Sequence, residues 1–180
     1  MHTHAGHVLT EEQIECLRGC SVYSHYYWTR KGFETNECPF CIIDSAKNTV
    51  LYQEHGWVAW EVGGTFSGAR PTLNLQLVFF PEEHRLSVKD LTPKERDGFW
   101  EVIDWIYETY SFRGGGYIIR DGDRRDNVGT VIHLHGNLFV PSGKGKVMIP
   151  FAKNAYWRRK DTKRMRGFKA RYEAGEVPPP

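Results

Sequence analysis

Hydrophobic and polar positions alternate with different periods along the chain, and each period predicts an element. Residues 10–20 have helical spacing, with Thr10 as N-cap and Ile14 and Leu17 opening an apolar stripe. The aromatic run VYSHYYW (22–28) reads as strand or buried coil. VLYQ (50–53) and WVAWEV (57–62) predict a hairpin across EHG, and GGTFSGARP (63–71) a loop, by its glycines and proline. LNLQLVFF (73–80) alternates and predicts a core strand ending at Pro81.

The clearest helix spans 92–112. Thr92 and Glu95 form a capping box and Pro93 occupies the first helical position. Phe99, Val102, Ile103, Ile106 and Tyr110 recur at spacings of three and four, so one face is a core stripe. Gly114, Gly115 and Gly116 mark its end. After it come a strand at 117–122, a polar loop at 123–129, a strand at 130–140 and a further strand at 146–152.

Connections of two to seven residues between strands cannot make parallel crossovers. The expected class is therefore α+β: a mainly antiparallel meander with one long helix packed on it and a short N-terminal helix. The 180 residues, 40 % of them hydrophobic, suit one core. We expect a single domain over 1–152, its first nine or so residues flexible, and a basic, partly helical tail over 153–180.

Charge changes the picture only in that tail. A net charge of +2 conceals a stretch from Lys153 to Tyr172 whose nine basic residues face Asp161 alone. Tyr156, Trp157, Phe168 and Tyr172 are interleaved with them, which suits a nucleic-acid partner; a basic helix packed along the acidic side of its own domain accounts for the same composition. No apolar run approaches the roughly 18–20 residues that cross a bilayer, and MHTHAGHVLTEEQ has no apolar signal core. A soluble, cytoplasmic chain is the expectation, with no membrane partner. His2, His4 and His7 belong to the terminal segment and are assigned no role.

Candidate chemistry concentrates in TVIHLHGNLFVP (130–141). On a strand, His133, His135 and Asn137 project from one face at a period of two. Three readings are open: metal ligands, a nucleophile with its supporting group, or a solvated polar face. Just upstream, DNVGT (126–130) is a small-residue turn whose backbone N–H groups suit an anion. Cys38 and Cys41 in CPFC supply half of a tetrahedral zinc site, and Cys16 and Cys20 complete one possible four-sulfur set.

CPFC, VFFPEEHRLSVKDLTPKE (78–95), the long helix, YIIRDG and VGTVIHLHGNLFVP occur in an order that resembles the histidine triad superfamily over about 100–115 residues. That superfamily includes nucleotide hydrolases with a His-x-His-x-His strand and a galactose-1-phosphate uridylyltransferase branch with His-x-His-Gly-Gln. The resemblance implies a nucleophilic histidine, here His135, attacking the α-phosphate of a nucleotide to give a covalent nucleotidyl-histidine. It implies phosphate contacts from Asn127, Gly129 and Thr130, and structural zinc at Cys38, Cys41, His84 and His133. Relatives are commonly homodimers.

Asn137 stands where hydrolases carry a third histidine. Its amide donates a hydrogen bond but has no titrating proton near neutral pH, so it resembles the transferase glutamine and favours transfer, or hydrolysis of good leaving groups. The other consequence is a module that binds nucleotide and no longer turns it over. Asn74 is a candidate nucleoside contact, and Trp57, Trp60 and Phe66 are a candidate stacking wall or simply core. Arg120, Asp121, Arg124 and Arg125 are a second phosphate clamp or a solvated loop; hydrolases often have asparagine near Arg120.

Overall fold

A computed structural model describes residues 8–43, 49–62, 73–127, 129–145, 147, 149 and 155–178, without the side chains of 127 and 155–161. In chain order the elements are α1 (Glu11–Gly19), α2 (Tyr23–Thr35), β1 (Val50–Glu54), β2 (Trp57–Glu61), β3 (Leu73–Pro81), α3 (Pro93–Thr109), β4 (Gly116–Arg120), α4 (Arg124–Asn127), β5 (His135–Pro141) and α5 (Ala155–Glu173). The expected loop at 63–71 with Phe66, and His2, His4 and His7, lie outside the described residues, as does most of the expected strand at 146–152. The chain divides into two compact units, one made of Met1–Pro39, Asp123–Ile132 and Pro150–Pro180, the other of Phe40–Gly122 and His133–Ile149.

The second unit is α+β, with a five-stranded, wholly antiparallel sheet in the order β1-β2-β3-β5-β4. β1 to β3 form the expected meander, the first turn closing at His55 and Gly56, whose φ values of 53° and 78° suit a tight hairpin. The meander then breaks, because β5 enters between β3 and β4 and leaves β4 at the edge. Buried Tyr52, Trp57, Ala59, Leu77, Phe79, Leu138 and Val140 alternate along their strands and pack with Val102 and Ile106 of α3. The capping box of Thr92 and Glu95 and the N-terminal Pro93 start α3 where the sequence predicts. The helix stops at Tyr110, so the three glycines lead into β4 and do not cap the helix.

Two glycines on this core are set by close approach. A Cβ on Gly98 would stand 2.2 Å from the His55 carbonyl oxygen, where α3 crosses the hairpin turn. A Cβ on Gly136 would stand 2.2 Å from the Phe79 ring, its cross-strand neighbour. Gly136 therefore has a packing reason independent of any family pattern.

The first unit is helical. α1 begins with a capping box between Thr10 and Gln13. The run 22–28 is neither strand nor coil but the start of α2, ending at Asn36 in the left-handed region (φ 56°). Tyr23, Tyr26, Tyr27 and Phe33 recur at helical spacing and pack on Phe168 and Tyr172 of α5, so tertiary contact overrides the β preference of aromatic residues. The stretch 123–129 is not wholly loop, since α4 forms within it, with Arg124 buried and donating to the Val131 carbonyl at 2.6 Å. Phe168 and Tyr172 are spent on packing, whereas Lys163, Arg166 and Lys169 are exposed.

Replacing Gly136 by Ala is expected to lower unfolding free energy by about 1–3 kcal/mol, as overpacking does, measured by urea denaturation; an unchanged midpoint would show that Phe79 moves freely. Burial lowers the His25 pKa from 6.5 to about 4. The unfolded chain therefore binds the proton first, and stability should be full above pH 6.5 and fall by on the order of 2 kcal/mol as pH drops toward 4. The difference in unfolding free energy between wild type and His25→Gln should show this slope; parallel pH curves would refute it.

Candidate functional site

The centre of the site is a pair of imidazoles oriented in opposite senses. His135 opens β5 and is 7 % exposed; His133 lies two residues earlier, just before the strand, and is fully buried. The strand is thus shorter than the predicted 130–140, and His133 is not part of its ladder. A ring nitrogen facing a carbonyl oxygen must donate, because the carbonyl only accepts. The Nδ1–H of His135 donates to the His133 carbonyl at 2.7 Å, so in the neutral ring Nε2 bears the lone pair. His133 is bound the other way. Its Nε2–H donates to the Pro81 carbonyl at 3.0 Å, and Nδ1 bears the lone pair.

That Nδ1 points into a cluster of soft donors. It lies 3.6 Å from Cys41 Sγ, which is 3.2 Å from His84 Nδ1. With Cys38, at the start of the same short turn, the four ligand atoms lie within 4.8 Å of one another. Tetrahedral zinc with ordinary bond lengths puts sulfur and nitrogen ligands about 3.6 Å apart, so these spacings fit the ion. Two sulfurs with two imidazole nitrogens are donors that suit zinc, and a carbonyl gripping the far nitrogen of a ligand histidine is the usual orienting contact. Cys41 and His84 are exposed, so the cluster opens toward solvent. Among the described residues Cys16 and Cys20 belong to no such group; both are buried on α1 and its C-cap, where Cys20 Sγ lies 3.7 Å from the Cys16 carbonyl.

Phe40, between the two cysteines, holds the cluster against the sheet. Its ring stacks on Phe80 at 4.2 Å and meets the edges of His133 and His135 at 5.7 and 5.3 Å. Trp60 completes this aromatic layer against Phe40 and Phe80, whereas Trp57 faces the opposite, α3-covered side as core.

Alternation along β5 places Asn137 on the same sheet face as His135, half-buried and paired with Val78 and Ile118. Arg120 pairs directly with His135 across β4 and β5 and is buried. Arg124 donates to the Val131 carbonyl, and Arg125 pairs with Asp123 and Glu11. The Asp121 carboxylate accepts from the Val88 N–H at 2.9 Å. Gly129 is buried and Thr130 half-buried, both in the first unit after α4; the Asn127 side chain is outside the description. Asn74 is exposed on β3, four residues or about 13 Å along the strand from Val78, the partner of Asn137, so the sheet does not bring it beside the histidines.

Sequence reasoning missed Arg85 and read Glu95 only as a helix cap. Glu95 is 6 % exposed and accepts from Arg85 Nε at 3.0 and 3.2 Å and from the Thr92 N–H at 2.7 Å. Burial raises the Glu95 pKa, but Arg85 and Thr92 outweigh it and bring the carboxyl below its ordinary value. The adjacency of Arg85 to His84 was the one available signal.

No protein-family description and no curated protein matches the sequence. Solved structures do match. This chain is similar to a Zn-bound histidine triad family protein from Mycobacterium smegmatis (19% identity, 79% of this chain and 99% of that one, TM-score 0.47). It is similar as well to a HIT family protein from Bacillus anthracis (18% identity, 78% and 97%, TM-score 0.47). A third match is a HIT family hydrolase from Clostridium thermocellum (19% identity, 62% and 96%, TM-score 0.45). The zinc and the hydrolase activity in these names belong to those proteins.

Metal titration against a chromogenic chelator checks the cluster. The wild-type chain is expected to bind one zinc, and His84→Ala or Cys41→Ser to weaken it by more than the roughly 10–100-fold that a change behind the ligands produces. Cys16→Ala and Cys20→Ala should leave affinity unaltered. Equal affinity in wild type and His84→Ala would exclude the mixed set.

Proposed function

We propose that this chain is a nucleotide-binding enzyme of the histidine triad kind, transferring or hydrolysing a nucleotidyl group through His135. The observation that carries the reading is the division of labour between two neighbouring imidazoles. The His133 ring is turned into the cysteine and histidine cluster, while His135 is held through Nδ1 with its lone pair on Nε2.

Attack by that lone pair on an α-phosphorus forms a P–N bond as the P–O bond to the leaving group breaks, the electron pair departing with the leaving oxygen. The ring becomes cationic and keeps its Nδ1 proton, whose hydrogen bond to the His133 carbonyl stabilises the new charge. Water or an acceptor hydroxyl then attacks phosphorus and gives up its proton to solvent or to the departed anion, and the P–N electrons return to Nε2. Arg120, across the ladder from His135, is the proposed cation for the non-bridging oxygens, and Asn137 the proposed amide donor. Asn127, Gly129 and Thr130 are the proposed further phosphate contacts, and Asn74 the nucleoside contact. Because Asn137 supplies no proton, the leaving group must be stable as an anion, which favours nucleoside polyphosphates or sugar-linked diphosphates.

Zinc held by Cys38, Cys41, His84 and His133 would supply a structural cross-link and no catalytic step. It would tie the CPFC turn to the residues preceding β5.

The second reading is a zinc-stabilised module that binds nucleotide or nucleic acid without turnover, and the absence of a third histidine at Asn137 favours it. Incubation with nucleotides labelled at the α-phosphate, quenched under alkaline denaturing conditions, separates the two. Covalent label on wild type and none on His135→Ala is the expected result. Saturable binding with no label would establish the module, and label persisting on His135→Ala would sink the assignment of the nucleophile.

A further inference from the structure

We propose that Arg85 and Glu95 are positioning residues that set the tautomer and aim of His135, acting through the single peptide group between His133 and Leu134. The inference rests on the reading that His135 carries the chemistry, and it names the part of the fold that prepares it.

One peptide plane does both jobs. Its carbonyl, that of His133, accepts from His135 Nδ1 at 2.7 Å. Its N–H, that of Leu134, donates to the Arg85 carbonyl at 2.6 Å. In a planar trans peptide these two groups point in opposite directions, so fixing the N–H fixes the direction of the C=O. Hydrogen bonding at one end also polarises the other, which strengthens the hold on the imidazole. Leu134 precedes β5, so no strand ladder fixes this plane. The contact with Arg85 replaces it.

The Arg85 backbone is itself held from the opposite end of the residue. Its guanidinium makes a forked contact with Glu95, with Nε at 3.0 and 3.2 Å and a terminal nitrogen at 3.0 Å from the carboxylate. Glu95 is anchored twice more, by the Thr92 N–H on its carboxylate and by Trp57 Nε1 donating to its carbonyl at 2.6 Å. Hydrogen bonds joined by the covalent frames of Arg85 and of one peptide group thus link the first turn of α3 to His135: the Glu95 carboxylate to the Arg85 guanidinium, the Arg85 carbonyl to the Leu134 N–H, and the His133 carbonyl to the imidazole. His84, a member of the cysteine and histidine cluster, is the residue next to Arg85.

A fork of this kind needs arginine, because lysine offers a point charge without the planar geometry. Arg85→Met keeps the aliphatic stem and removes the fork, and Arg85→Lys keeps only the charge. Thr92→Ala is the control: it removes the capping hydroxyl at the same helix start but leaves the Thr92 N–H contact to Glu95 and the Arg85 fork in place.

Three readouts on the full chain test the idea: imidazole ¹⁵N shifts of His135, hydrogen exchange of the Leu134 amide, and the kcat and KM of nucleotidyl transfer. In Arg85→Met, His135 is expected to change from a single Nδ1–H tautomer to a mixture, and Leu134 to exchange about tenfold faster. Turnover should fall about tenfold in kcat with KM little changed, Arg85→Lys lying between. Thr92→Ala should lower stability yet leave the tautomer in place. If Arg85→Met and Thr92→Ala behave alike in the His135 tautomer and in Leu134 exchange, the pair is merely structural and the proposal fails. If the tautomer shifts while wild type forms no covalent label, the positioning role stands and the proposed chemistry falls.

Discussion

Two backbone carbonyls decide what the two histidines can be. The Pro81 carbonyl accepts a hydrogen bond from Nε2–H of His133, and the His133 carbonyl accepts one from Nδ1–H of His135. Identical side chains two residues apart are thereby given opposite tautomers, one presenting Nδ1 to soft ligands and the other presenting Nε2. Imidazole is suited to this because both nitrogens are available and a single hydrogen bond selects between them. Without that selection the two rings would be interchangeable, and the proposed division into metal ligand and nucleophile would have no basis.

The sheet turns this local choice into a site. β5 runs between β3 and β4, so its ladder is satisfied on both sides. The face carrying Leu138, Gly136 and Phe79 is buried under α3, leaving the opposite face for His135, Asn137 and Arg120. Phe40 and Phe80 press an aromatic layer against both histidine rings. A ring presented from the start of a central strand, as that of His135 is, has little freedom to turn away.

Asn137 separates positioning from proton supply. The geometry that orders His135 does not involve the third position of the motif. An amide there, on the same face, can hold an oxygen but cannot protonate it at neutral pH. In the proposed reaction the constraint then falls on the leaving group, whose stability as an anion must make up for the missing acid.

Much of this was legible from residues alone. Thr92, Pro93 and Glu95 announced α3; alternation announced β3; and the spacing of histidines and cysteines, read through the family resemblance, nominated the cluster that the structure assembles. These signals are local, set by backbone dihedrals, capping and the two-residue period of a strand. Other features depended on partners distant in the chain. VYSHYYW became helix because its tyrosines meet Phe168 and Tyr172, about 140 residues later in sequence. The polar loop yielded a helical turn with a buried Arg124, and β5 slipped between two strands that its position in the chain would not have separated. Arg85 was marked only by its adjacency to His84, since its carbonyl meets the Leu134 N–H only in the folded chain. The sequence by itself determined which groups could donate, accept or ligate. Tertiary structure alone decided which nitrogen of each histidine does so, because a tautomer is chosen by the partner that folding brings to the ring.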